Sequence, residues 1–156
     1  MRESEPKPGG LLITRRFALI LFLPALMQLT RTVACAQSQL TELDAERDPG
    51  KRSQRALALA EQAFEQAKKS YATGEIKAGD GHLEDMTKLL DACVSALESA
   101  RKANLYKQAE IRVATLSRRL RSLTDDLAVD DRGWAEYTLR QVDGIHDKLL
   151  SGVMKK

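Results

Sequence analysis

Aromatic residues are scarce: one Trp, three Tyr and three Phe in 156 residues. So few rings leave an interior built from Leu, Val, Ala and Met. No stretch alternates apolar and polar residues at period two, which argues against a sheet. Of the four prolines only Pro49 follows residue 24, so nothing beyond it breaks a helix by removing a backbone donor. The chain has no Gly-rich phosphate loop, no His-Glu-x-x-His and no Cys-x-x-Cys, and therefore no Cys-x-x-Cys-His haem attachment. Its carboxylate pairs, such as Glu84/Asp85, Asp125/Asp126 and Asp130/Asp131, are adjacent in sequence. Adjacent helical positions diverge by about 100°, so such pairs do not converge on one substrate atom. The expectation is a protein that is not an enzyme and has no cofactor.

Charge of one sign is also lacking. The net charge is +3, but residues 1–36 hold five of the 25 basic and two of the 22 acidic residues, leaving 20 of each. A neutral remainder has no field to steer it onto nucleic acid, so no nucleic-acid partner is expected.

The basic surplus belongs to a leader. Arg15 and Arg16 precede an apolar run of 13 residues from Phe17 to Leu29, and Ala34-Cys35-Ala36 offers small residues to a signal peptidase. The run is shorter than the ~20 residues of a membrane span, so no stable span is expected after leader removal. Residues 1–36 read as a signal peptide cleaved before Gln37, giving a periplasmic or secreted protein. Thr14-Arg15-Arg16 resembles the start of a twin-arginine signal, although Ala18 replaces a larger apolar residue. Thr32-Val33-Ala34-Cys35 resembles a lipobox, although Thr32 replaces a Leu-like residue, and it supplies the alternative of a lipid anchor on Cys35.

What is present is helical periodicity. Residues 37–50 form a polar lead-in ending in the turn signal Asp48-Pro49-Gly50, and residues 51–156 form the main domain. From Lys51, Ala56, Leu59, Ala60, Ala63, Phe64, Ala67 and Tyr71 share one face. Gly74 ends that helix. The run from Tyr71 to Ala78 resembles the hairpin turn of a tetratricopeptide unit, but without a second copy it implies a hairpin and no array. A second helix starts between Ile76 and Asp80, which is placed to cap it, and continues to about Ala103 with a broad face from Leu83 to Ala100. The clearest stripe follows, from Tyr106 onward: Ala109, Val113, Leu116, Leu120, Leu123 and Leu127 step by four and three, the a/d pattern of coiled coils. A last helix is predicted to be capped by Asp130, stapled by Val129 and Trp134, and to bury Trp134, Thr138, Leu139, Val142, Ile145 and Leu149. The sum is an all-α fold, an antiparallel four-helix bundle built from helical hairpins.

The closing pattern Val129-Asp-Asp-Arg132 and Ile145-His-Asp-Lys-Leu-Leu150 resembles secreted bacterial helical-bundle proteins of uncharacterised activity. The resemblance implies a fold and carries no catalytic motif. Small periplasmic chaperones of the Spy and CpxP family share that class, but their Leu-Thr-x-x-Gln motif is replaced here by Leu123-Thr-Asp-Asp126.

Two functional readings follow. A contact protein needs a stable fold and a surface that is not wholly polar. Lys107, Ile111, Ala114 and Arg118 fall on one face, with Ile111 about 200° from the stripe, and this face is expected to meet a protein partner or a second copy. The basic group Arg112, Arg118, Arg119 and Arg121 is expected to be dispersed around its helix and solvated. The alternative is a periplasmic metal- or haem-binding bundle. His82, Met86 and Cys93 lie close on the wheel, and His146 stands between Asp143 and Asp147. Met86 and Cys93 also fit the core, so His82, Met86 and His146 are the residues on which that alternative depends.

Overall fold

Each periodic stretch becomes a helix with its apolar side turned inward. The computed structural model describes residues 41–154. Among these residues there is no strand. A helical segment over 41–45 precedes α1 (Pro49–Ala72), α2 (Ile76–Ala100), α3 (Ala103–Asp126) and α4 (Gly133–Met154). The protein is an all-α helical bundle. The leader, Cys35 and the cleavage site before Gln37 lie outside the described residues.

Local chemistry sets the helix ends. Asp48 Oδ1 accepts from the Gly50 amide at 2.8 Å and the Lys51 amide at 3.4 Å, so α1 begins at Pro49, two residues before the expected start. Pro fits there because its missing N–H would have no partner in a first turn. The backbone bonds to Gly50 and Lys51 hold the Asp48 carboxyl below its usual range. Gly74, at φ 76°, closes the α1–α2 turn in the left-handed region. The second helix starts at Ile76 and not at Asp80.

Three other expected boundaries move. Arg101 adopts φ 52° and its amide bonds Leu97 O at 3.0 Å, ending α2 at Ala100 instead of Ala103. The Lys102 carbonyl then accepts from Leu105 and Tyr106, which starts α3 at Ala103, ahead of Tyr106. Asp130 does not cap α4, and the staple does not form: Val129 is 76% exposed and Trp134 40%. The loop closes through Asp131 N to Ala128 O at 3.0 Å and through Arg132 to Leu127 O at 2.9 Å. These bonds leave Val129 on an outer turn.

The two hairpins, α1/α2 and α3/α4, are each antiparallel. They pack with α2 beside α4 and α1 beside α3, so the order around the bundle is α1, α2, α4, α3. Across the hairpins the helices run parallel. Gly50 faces Leu105 at one end, and Trp134 donates to Asp80 O at 3.1 Å at the other. This places α2 and α3 at opposite corners, with α1 burying as many residues as α2.

Phe64, Leu90, Val113, Leu116, Leu120 and Leu149 are core residues of the four helices. Leu43 joins them at 1% exposure, so the described part of the polar lead-in, 41–50, contributes to the bundle, contrary to the boundary expected at residue 51. With only Leu40, Leu43 and Ala45 as apolar positions, the stretch is too sparse for a periodicity that would reveal the burial of Leu43. The stripe on α3 holds from Ala109 to Leu120 and then rotates: Thr124 is buried, while Leu123 and Leu127 are only partly so.

Candidate contact surface

The inward faces of α3 are claimed by its two neighbours. Toward α1, Arg112 makes a bidentate contact with Glu61, Nε to Oε1 at 2.8 Å and an Nη to Oε2 at 2.6 Å. Two turns further along α3, Arg119 pairs with Glu65, and its guanidinium carbon lies 4.8 Å from the centre of the Phe64 ring. Toward α4, Ser117 donates to Asp143 Oδ1 at 2.5 Å, and Arg121 reaches Asp143 Oδ2 at 3.4 Å. The basic group expected to be a solvated face is thus largely drawn into contacts between helices. Helical spacing could not show this, because the acidic partners stand on other helices.

What α3 leaves outward is the face marked by Lys107, Ile111, Ala114 and Arg118. Ile111 is 53% exposed, Lys107 and Arg118 are exposed, and Ala114 is half-buried. Arg118 curls along its own helix, donating to Ala114 O at 3.4 Å and Thr115 Oγ1 at 3.3 Å. Ile111, about two turns before Arg118, stays open to solvent.

A second outward patch was not legible in the sequence. Trp134 and Tyr137 face out from α4 with ring centres 5.3 Å apart. Trp134 was expected in the core, but the buried line is Ala135, Thr138, Val142, Ile145 and Leu149, a three-four spacing that passes one residue beside it. Its indole N–H instead binds the Asp80 carbonyl.

The residues of the ligand alternative do not converge. Met86 is fully buried in the core, and His82 is half-buried near the start of α2. His146 pairs with Glu110 of α3 at 2.9 Å, and the expected partners Asp143 and Asp147 are not its contacts. Since α2 and α4 run parallel from Asp80 and Trp134, His146 lies about 15 Å along the axis from His82 at 1.5 Å per residue. Among the described residues no group of three or more His, Cys, Asp or Glu is arranged to hold a metal ion. Cys93 is buried in the core, and that burial pushes its thiol up to about 12, so it stays protonated at neutral pH. No helix among the described residues is long and apolar enough to cross a membrane.

The fold and this surface define the class no further than an all-α helical bundle with a half-apolar, basic outer face on α3. Compared with known proteins, the chain matches no family model, no curated protein and no solved structure.

Proposed function

We propose that this chain is a non-catalytic exported helical protein that works through protein–protein contact, by self-association or with a partner in the cell envelope. The observation that carries this reading is Ile111, 53% exposed between two outward cations on a helix whose other sides are occupied by its neighbours. An apolar side chain in such a frame contributes little to folding and gains by being covered. The Trp134–Tyr137 pair supplies further apolar area on α4. Export is proposed from the leader, with Gln37 as the mature N-terminus and a periplasmic or secreted destination.

Sedimentation and chemical cross-linking of mature protein test the contact, with Ile111→Glu compared to wild type. Association is expected to fall while helical circular dichroism is unchanged. Purified protein carrying stoichiometric metal or haem, lost on changing His82 or His146, would overturn the reading in favour of the ligand alternative. Intact mass of the exported protein tests the leader: a species starting at Gln37 is expected, and a retained leader or a lipidated Cys35 would contradict it.

A further inference from the structure

Opposite corners of the bundle carry opposite charge. The outward stripe of α3 runs through Lys107, Ile111, Ala114, Arg118, Arg121 and Asp125, three cations against one anion. The outward stripe of α2 runs through Glu84, Lys88, Asp91, Ser95 and Glu98, three anions against one cation, all exposed. From Lys107 to Arg121 and from Glu84 to Glu98 the two stripes share the same four-three-four-three spacing, the condition for two helices to mesh along their length. Because α2 and α3 are diagonal in the bundle, one copy cannot bring these faces together. A second copy can.

We propose that the α3 face of one copy docks on the α2 face of a second copy, with Lys107 against Glu84, Arg121 against Glu98, and Ile111 covered by the methylene stem of Lys88. This rests on the contact reading above and names its partner. Lys88 already lies 2.8 Å from Glu84 on its own helix, which lays its stem along the stripe. Arg121 holds Asp143 only at 3.4 Å and its own side chain is 62% exposed, so it is able to share a second carboxylate. Pairing α3 with α3 would instead oppose two basic stripes, and the net repulsion disfavours it. A contact between two different faces on opposite corners cannot form a two-fold dimer, so copies add head to tail, into rings or open chains. Exposed ion pairs make the association weak and sensitive to salt.

Two charge-reversed variants of the mature chain test this. Lys107→Glu with Arg118→Glu makes both faces acidic, and Glu84→Lys with Asp91→Lys makes both basic. In sedimentation velocity at about 0.1 M salt, wild type is expected to show a sedimentation coefficient that rises with protein concentration, and the rise is lost at about 1 M salt. Each variant alone is expected to stay monomeric, and an equimolar mixture of the two to associate again. Circular dichroism confirms equal helicity. Wild-type protein needs no variant for a zero-length carbodiimide cross-link between Lys107 and Glu84, which the diagonal placement forbids within one copy. Association of the Glu84→Lys, Asp91→Lys variant as strong as wild type, a strictly monomeric wild type, or cross-linked oligomers lacking the Lys107–Glu84 link would each overturn the proposal. A monomeric wild type whose capture of an envelope protein is lost in Ile111→Glu would overturn this partner alone and leave the contact reading standing.

Discussion

Tyr71 on α1 donates its phenolic hydrogen to Asp80 Oδ1 on α2 at 2.6 Å, while the backbone carbonyl of the same Asp80 accepts from Trp134 on α4. One residue thus ties three helix ends. The Tyr71 ring reaches Asp80 by passing over Gly79, where a Cβ would stand 2.8 Å from Cζ. The sequence reading offered Asp80 as a helix cap. Its carboxylate instead fastens the first hairpin.

Gly79→Ala and Gly81→Ala form a matched pair. Both glycines are helical, and alanine normally favours a helix by about 0.5–1 kcal/mol. At Gly81 nothing lies within 4 Å of a new Cβ, so that gain should appear in full as a higher thermal midpoint. At Gly79 the new methyl meets a rigid, buried ring, and a net loss of roughly 1–3 kcal/mol is expected from overpacking. Equal midpoints for the two variants would contradict the close approach.

Alkaline pH should loosen this end of the bundle. Burial, and then the bond to Asp80, hold the Tyr71 hydroxyl well above its ordinary value of 10.0. Above that pH the unfolded chain releases the proton and the folded chain keeps it. The unfolded state therefore binds fewer protons, and stability declines as pH rises. Urea unfolding from pH 9 to about 11 checks the sign. Tyr71→Phe should show a shallower decline, and a slope equal to wild type would remove Tyr71 as its source.

Leu43→Ala should destabilise the whole bundle by about 2 kcal/mol or more, the range for emptying a buried leucine site. Leu43 is almost wholly enclosed although it stands in the lead-in. A change below about 0.5 kcal/mol, the usual figure for surface positions, would mean that the 41–45 segment is not part of the cooperative core.

Leu120→Asp should unfold the domain, whereas Arg118→Ala should shift stability by no more than about 0.5 kcal/mol. Leu120 is fully buried, and an unpaired buried carboxylate costs several kcal/mol against a total of roughly 5–15 kcal/mol. Arg118 bonds only within its own helix. Helical circular dichroism during denaturation separates the two, and comparable losses would place the stripe elsewhere on α3.

The α3 stripe from Ala109 to Leu120, the Gly74 turn and the outward position of Ile111 were all legible in the sequence, since each follows from residues within a turn or two of one another. Helix ends at Ala100 and Ala103 were not, because Arg101 takes a left-handed backbone angle that its side chain does not announce. Trp134 misled for a different reason: large apolar residues are usually inside, but a line one residue over met the core and left the ring at the rim.

The chain by itself determined its helices and most of their inward faces, because hydrogen bonds from one turn to the next and a three-to-four-residue period are local properties. Only the tertiary structure decided the partners. Nothing near Arg112 in sequence points to Glu61, nor near His146 to Glu110, nor near Leu43 to the core. Those contacts depend on how the two hairpins are set against each other. The same setting places α2 and α3 at opposite corners, so that the acidic and basic faces point apart.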